Sequence, residues 1–233
     1  ISTLKTRPTK EQQMEGIKKS NTSKMECESW SLQAEETCPG SIDPRTKKLV
    51  PSCEGCYATQ GMYNMPNVKA VRKHNKQDWK RDAWVDEMVQ GLDNSRYFRW
   101  FDSGDVYSVP LANKIYQVMQ RTPWCNHWLP TKSYKFPKFT SIFKKMNALP
   151  NVVARFSSDS ITGGIIKGKN TSTIVQKAED ATSKMTVCEA ETRGGKCGPC
   201  RACWDKNVSV IAYIAHGRSI KKQYKLLTLT NVA

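Results

Sequence analysis

Short apolar runs alternate with amphipathic segments along most of this chain, which is the pattern of an α/β protein. Six runs predict strands, at 25–32, 97–101, 125–129, 152–156, 186–190 and 208–214. Between them, apolar residues spaced by three and four predict helices over 66–92, after Ser108 and over 137–150. A weaker helical pattern covers 172–182.

Strands that alternate with helices usually pair in parallel and are joined by right-handed crossovers. Six such units favour a partial (β/α)6 barrel, because a closed eight-stranded barrel usually needs about 250 residues and this chain has 233. A doubly wound sheet is the alternative. Segment 1–24 is interpreted as a basic N-terminal extension, 25–217 as a cysteine-rich α/β domain and 218–233 as a basic C-terminal extension.

The composition indicates a globular protein with an acidic partner. Lys and Arg number 37 against 21 Asp and Glu, a net charge of +16, while 7 Trp, 8 Tyr and 6 Phe argue against a disordered basic chain. A basic helical stretch over 69–81, which includes Arg72, and lysines interleaved with aromatic residues over 132–145 favour binding of nucleic acid. No apolar stretch is long enough to cross a membrane and no secretion signal is recognised, so we expect no membrane partner.

Nine cysteines change the picture, because an odd number cannot all pair within one chain. In a reducing compartment, clustered cysteines bind metal more often than they form disulfides. Cys188, Cys197, Cys200 and Cys203 follow the pattern C-x8-C-x2-C-x2-C, and a two-residue spacing lets one turn present two sulfurs to one ion. Four thiolates satisfy a structural zinc ion and equally a [4Fe-4S] cluster, so both metals stay open here.

A second cysteine set has only three members. Cys38, Cys53 and Cys56 follow the pattern C-x14-C-x2-C, and three ligands leave one position open for a small molecule or water. A fourth ligand from the C-terminal set would instead join the two halves of the chain. Cys27 is either an alternative fourth ligand for this set or a small buried residue, and Cys125 is interpreted as a core residue.

Chemistry-bearing residues follow the predicted strands, and ligands gather at the C-terminal ends of parallel strands. We therefore expect one functional rim, made of both cysteine sets, 102–105, 131–133 and 157–160. Asp102 and Asp105 either contact a substrate or cap the next helix. Lys132 either holds an anion or lies solvated at the surface, and Arg155 and Asp159 are interpreted as an ion pair.

Four motifs together resemble the uncharacterised bacteriophage gene product 88-like family. They are Thr-Cys-Pro-Gly at 37–40, Cys-Glu-Gly-Cys-Tyr-Ala at 53–58, Arg-Trp-Phe-Asp-Ser-Gly-Asp at 99–105 and Cys-Gly-Pro-Cys-Arg-Ala-Cys-Trp at 197–204. The similarity spans about 30–217. It implies a phage-encoded protein in the cytoplasm of a bacterial host, and it implies no particular activity.

A more distant similarity is to radical S-adenosylmethionine (SAM) enzymes, which have a (β/α)6 barrel and a three-cysteine loop after the first strand. There the open iron of a [4Fe-4S] cluster holds SAM. The resemblance implies a cluster on Cys38, Cys53 and Cys56, and cofactor contacts from Gly104 and Asp105. The spacing departs from that family's C-x3-C-x2-C, and Asp replaces the Glu of its Gly-Gly-Glu motif.

The leading hypothesis is a phage iron–sulfur protein with one or two [4Fe-4S] clusters, or with zinc at the C-terminal set. If it is an enzyme, it would use the cluster for one-electron chemistry on a bound ligand, for which SAM is one candidate. The alternative is a non-enzymatic, metal-stapled basic protein that binds nucleic acid or a host protein.

Overall fold

The structure is a computed structural model that describes residues 16–230. Its strands are β1 (Ser20–Asn21), β2 (Glu28–Trp30), β3 (Tyr97–Trp100), β4 (Asn126–Thr131), β5 (Val152–Ser157), β6 (Thr171–Val175), β7 (Thr186–Cys188) and β8 (Val210–Ile214). They form one sheet in the order β1-β2-β3-β4-β5-β6-β8-β7. β1 is antiparallel to β2, and every other neighbouring pair is parallel.

The α-helices within the described residues are α1 (Pro51–Glu54), α2 (Pro66–Asp78), α3 (Trp84–Gln90), α4 (Val109–Arg121), α5 (Thr140–Ala148) and α6 (Arg218–Thr230). α4 begins as the sequence predicts, because the Ser108 hydroxyl accepts the Leu111 N–H at 3.4 Å and Pro110 lies in the first turn. The helix predicted over 66–92 is divided into α2 and α3. Arg81 lies at the break and bonds the carboxylates of Asp78 and Glu87.

From β2 to β6 the strands follow one another in chain order, so each crossover moves the same way across the sheet. A doubly wound sheet needs this order to reverse, and no such reversal occurs between β2 and β6. The predicted barrel is not confirmed. Among the described residues, β1 and β7 are the two edges of the sheet, and no strand pairing joins them.

One face of the sheet packs against α3, α4 and α5 and forms the main core. Phe98, Trp100, Leu129, Val152 and Ala154 alternate along three strands and contact buried helix residues. The core residues from these helices are Trp84, Val85, Met88, Leu111, Ala112, Ile115, Val118, Met119, Ile142, Phe143 and Met146. Burial of this apolar surface is the main force that holds these layers together.

The opposite side of the sheet, called the second face below, carries the alternate residues Arg99, Trp128 and Arg155. Residues 189–209, called the crossing loop below, run across it between β7 and β8. Trp204 of this loop donates its indole N–H to the Phe98 carbonyl at 3.0 Å, and its ring packs edge-on against Trp128 at 5.4 Å. The crossing loop therefore covers part of the face that the helices leave open.

The helix predicted over 172–182 is wrong, because Thr171–Val175 is strand β6. Its sequence is Thr-Ser-Thr-Ile-Val, and β-branched side chains favour strands when they lie between two paired neighbours. All six predicted strands are present. The first is shortened to Glu28–Trp30, and the other five differ from the prediction only at their ends. β1 was not predicted, since two residues are too few to produce an alternating pattern.

The predicted extensions are partly described. β1 lies within 1–24 and joins the sheet, while α6 occupies 218–230. Residues 1–15 and 231–233 of those segments lie outside the described residues. None of the helices between residues 16 and 230 combines the length and the apolar character needed to cross a membrane.

Candidate functional site

The C-terminal ends of β2 to β5 gather sulfur-bearing and charged side chains at one rim of the sheet. They are Cys38, Cys53 and Cys56 after β2, Asp102–Asp105 after β3, Lys132 after β4 and Asp159 after β5. Two anchors bring the long loop after β2 to this rim. The Thr37 carbonyl accepts the Asp105 N–H at 3.1 Å, and the Ser52 N–H donates to the Asp159 carbonyl at 3.1 Å.

Short turns hold the three cysteines of this rim. Cys38 precedes a 3-10 turn at Pro39–Ser41, Cys53 lies in α1, and the Cys56 N–H donates to the Cys53 carbonyl at 3.2 Å. Burial raises the pKa of all three thiols, and for Cys38 the negative charges of Asp105, Cys53 and Cys56 raise it further. At neutral pH these thiols are therefore protonated unless a metal ion binds them.

Whether these side chains fit a metal depends on both their chemistry and their geometry. Cysteine thiolates are the ligands that zinc and iron–sulfur clusters use, so the donor set fits either. No three Cys, His, Asp or Glu side chains among residues 16–230 already have the arrangement of ligands around one ion. Ligation would therefore require the three sulfurs to turn toward a common point.

Lys132 lies inside the rim, so its interpretation as a solvated surface lysine is wrong. Its side chain is only 13% exposed, and its ammonium donates to the carbonyls of Ser157, at 3.2 Å, and Ser158. It also lies 3.3 Å from the Asp159 carboxylate. Burial lowers the pKa of this ammonium, while the charges of Cys53 and Asp159 oppose that change. Lys132 is thus a buried cation beside a candidate ligand.

Asp159 pairs with lysines and not with Arg155, so the predicted Arg155–Asp159 ion pair is wrong. The second oxygen of Asp159 lies 2.5 Å from the Lys135 ammonium. Arg155 points onto the second face of the sheet, where its guanidinium donates to main-chain carbonyls, including that of Val208 at 2.9 Å. Their positions along the chain separate the two residues, because Arg155 lies within β5 and Asp159 lies beyond its end.

Asp102 is the centre of a charged network. One carboxylate oxygen lies 2.9 Å from Arg99, and the other accepts the Tyr63 hydroxyl at 2.5 Å and lies 3.9 Å from Arg72. Its carbonyl accepts the Tyr57 hydroxyl at 2.7 Å. Asp102 is therefore a positioning residue that fixes the segment after Cys56, and it is not an N-cap of α4, a position that Ser108 takes.

Asp105 and Gly104 have structural contacts that explain both residues without a ligand. The buried Asp105 carboxylate accepts the N–H of Lys132 at 2.8 Å and that of the following residue at 2.7 Å. Burial raises the pKa of Asp105 to about 6, although these bonds oppose the rise. Gly104 has φ +79°, and a Cβ there would lie 2.7 Å from Leu32 and Thr37. Their contact with a cofactor stays a prediction.

One family model covers most of the chain, including the residues of this rim. The model of the family described as "Gene product 88" matches residues 2–206. The chain belongs to the gene product 88 family. The match includes all seven cysteines predicted as metal ligands, and it confirms the phage-family resemblance carried by the cysteine and aspartate motifs. No curated protein and no solved structure matches the chain, and the comparisons give the radical-SAM similarity no support.

The second cysteine set of this gene product 88 protein does not lie wholly at the predicted rim. Cys188 ends β7, but the Cys197 N–H donates to the carbonyl of Lys24, which precedes β2. Parallel pairing of β7 with β8 is the physical reason, since the crossing loop must return from the C-terminal to the N-terminal edge. Burial raises the pKa of Cys197, and the charges of Cys188 and Cys200 add to it.

The two remaining cysteines have separate positions. Burial raises the pKa of Cys27, and this residue lines one pocket together with Lys196 and Gly198, so it lies near the second set. Cys125 is fully buried, which confirms its interpretation as core. His127 is packed in the core, where its ring lies between Trp100 and Thr122 and burial lowers its pKa to about 3.

Sequence reasoning missed the residues that surround Asp102. Arg72 was counted in a basic surface, yet it is buried, donates to the Ser103 hydroxyl and lies 4.9 Å from the Tyr63 ring centre. The sequence offered one signal for this burial, which is the helical spacing of Arg72, Asn75 and Trp79. All three are buried in the structure, so the two polar residues belong to the inward face of α2.

Proposed function

We propose that this gene product 88 protein is a metalloprotein in which Cys38, Cys53 and Cys56 bind an iron–sulfur cluster at the C-terminal rim of the sheet. One observation carries the proposal. A single loop brings three partly buried cysteines, spaced by 14 and two residues, to the rim where parallel sheets hold their ligands. The anchors at Thr37 and Ser52 hold the two ends of that loop.

The charges at the rim support an anionic centre. Three thiolates on a [4Fe-4S]2+ cluster carry a net charge of about −1, and burial of such a charge needs a nearby cation. Lys132 supplies one, because it is buried and its charge acts on Cys53. Lys135 is the next cation and compensates Asp159. The rim is therefore electrostatically prepared for thiolates, although its thiols alone are neutral.

Three protein ligands leave one iron for an external ligand. When reduced, a [4Fe-4S] cluster supplies one electron to a molecule bound at that iron. In this chain, Lys132 would balance the charge of such a complex, and Asp102 would hold the loop that follows Cys56. We keep SAM as one ligand to test, with Gly104 and Asp105 as its predicted contacts.

The test is metal analysis of the full chain purified without oxygen, together with three single variants, Cys38→Ala, Cys53→Ala and Cys56→Ala. Cys125→Ala is the matched control, since Cys125 is a buried cysteine outside both sets. We expect about four irons and four sulfides per chain at this centre, most of them lost in each single variant and kept in the control. Zinc without iron or sulfide, or equal iron in all variants, would overturn the proposal.

A specific observation supports the alternative, which is a non-enzymatic basic protein that binds nucleic acid. Lys144 and Lys145 are exposed on α5 and make no ion pair among the described residues, and Lys138 lies 5.2 Å from the Phe139 ring centre. Binding of single-stranded DNA that weakens steeply with salt would support this function. Binding to a host protein stays a further proposal, which a metal-loaded sample would test by capture from host extract.

A further inference from the structure

We propose that Cys188, Cys197, Cys200 and Cys203 form a separate zinc site that fastens the crossing loop over the second face of the sheet. The site goes beyond the iron–sulfur proposal and does not depend on it, because it uses different residues in a different part of the fold. Its function is to hold together the two ends of a sheet that no strand pairing closes.

The crossing loop already contacts the segment that precedes β2. The Lys196 ammonium donates to the Ser23 carbonyl at 2.6 Å, and the Cys197 N–H donates to the Lys24 carbonyl at 2.7 Å. The Lys24 ammonium in turn lies 3.2 Å from His216, just after β8. The loop therefore connects the two ends of the sheet, and a metal ion bound within it would stabilise this connection.

The four thiols lie around one part of the loop. Cys188 is the register partner of Tyr213 on β8, and the Cys203 sulfur lies 3.4 Å from the Tyr213 hydroxyl, so these two cysteines flank one tyrosine. The Cys200 N–H donates to the Cys197 carbonyl at 3.2 Å, in a turn that presents two sulfurs. Tyr213 therefore joins Cys188 to Cys203, and one turn joins Cys197 to Cys200.

A buried cation gives independent evidence for negative charge at this position. Arg155 is 0% exposed, and it forms no ion pair with any carboxylate of the described residues. Its Nε has no hydrogen-bond partner within the same residues. Within the described residues its guanidinium donates to main-chain carbonyls, and burial of a charge without a counter-ion is costly. One of these carbonyls, 3.4 Å away, belongs to Ala202, which directly precedes Cys203, so this cation lies beside the set.

Zinc fits this environment because four thiolates fill its tetrahedral shell and give a net charge of about −2. Arg155 would balance part of that charge from beside Cys203, and Arg99 would add to it, because it lies 4.8 Å from the ring centre of Trp128, against which Trp204 packs. The loop buries little apolar surface of its own. Among residues 189–209 the buried apolar side chains are Ala190 and Trp204, and a segment with so small a core gains stability from a metal.

The test measures zinc in the full chain as isolated, and in Cys197→Ser and Cys203→Ser. Cys27→Ser is the matched control, because Cys27 is partly buried near Cys197 and is not one of the four ligands. We expect about one zinc per chain, lost in both ligand variants and kept in Cys27→Ser. A triple Cys38/Cys53/Cys56→Ala variant should keep its zinc, so failure of the iron–sulfur proposal and failure of this one are distinguishable.

A second measurement covers the case in which the ligand variants do not fold. Titration of the folded wild type with an organomercurial should release its zinc as four thiols react, and Co²⁺ in its place should show the absorption of a tetrathiolate site. Trypsin should cleave after Lys196 and Arg201 faster once the zinc is removed. No zinc in the wild type, zinc retained in Cys203→Ser, or iron with sulfide at this set would each overturn the proposal.

Discussion

Arg155→Met tests the zinc site through a residue that is not a ligand. Arg155 is fully buried on β5, and its guanidinium donates to the carbonyls of Val208 at 2.9 Å and Asp205 at 3.1 Å. Methionine keeps much of the length and removes the charge. If the four thiolates and their metal carry negative charge beside this position, the substitution should weaken zinc binding even though every ligand remains.

The magnitude follows from the position of Arg155 next to a ligand. Groups that support a metal's ligands typically contribute 10- to 100-fold to affinity, which corresponds to about 1.4–2.8 kcal/mol at tenfold per 1.4 kcal/mol. The same substitution leaves carbonyls on the crossing loop without their donor, and this lowers the stability of loaded and zinc-free protein alike. The loss of charge should therefore appear in zinc affinity, and the loss of hydrogen bonds in the free energy of unfolding.

The assay is competition for zinc between the protein and a chromophoric chelator, with unfolding by denaturant measured in parallel. Lys206→Met is the control, because the Lys206 ammonium also joins the crossing loop to main-chain carbonyls, including that of Asn147 at 2.8 Å. Its pKa is lowered by burial alone, with no thiol among the causes. We expect Lys206→Met to lose stability and keep its zinc affinity within about twofold. Equal zinc affinity in Arg155→Met and wild type would refute the charge argument.

Three further predictions concern the rim and the surface. Gly104→Ala should lower the free energy of unfolding, measured by denaturant titration, by about 2–4 kcal/mol, because φ is +79° and the new Cβ would clash with Leu32 and Thr37. Gly194→Ala is the control, and it should lower the same free energy by only about 1–2 kcal/mol, because φ is +62° but the space around the new Cβ is open. Burial raises the pKa of Asp105 from 3.8 to about 6, so the native state binds a proton on this carboxyl group more tightly than the unfolded chain does. Stability should therefore fall as pH rises from about 4 to 6, and Asp105→Asn should lack that slope when unfolding is measured at both values. Lys144→Glu with Lys145→Glu should weaken binding of single-stranded DNA and flatten its salt dependence, and unchanged binding would remove α5 from any nucleic-acid surface.

The sequence predicted the features that depend on local pattern. Ser108 with Pro110 gave the start of α4, and the apolar runs gave β3, β4 and β5 to within two residues at either end. Parallel strands then imply a shared C-terminal rim, which is why the positions of Cys38 and Asp102 near one edge could be expected from order alone.

The features that depend on contacts distant in sequence could not be predicted. Tyr57 and Tyr63 reach Asp102 from 45 and 39 residues away, and no local spacing signals such a bond. The burial of Lys132 depends on the loops after two neighbouring strands. Cys197 was expected at the C-terminal rim, and only the pairing of β7 with β8 shows that the loop must return to the opposite edge.

Arg99 is the residue through which the two cysteine sets should influence each other. Its guanidinium lies 2.9 Å from Asp102 and 3.2 Å from the hydroxyl of Tyr57, which directly follows Cys56. On the other side, its positive charge opposes the rise that burial causes in the pKa of Cys203. Arg99→Leu should therefore lower iron and zinc content together, because it frees the loop after Cys56 and removes a charge beside the zinc site. Arg155→Met should lower zinc affinity alone. Metal analysis of both variants in parallel tests whether Arg99 couples the two sites. An Arg99→Leu protein with wild-type iron and zinc content would mean that the two sites are independent.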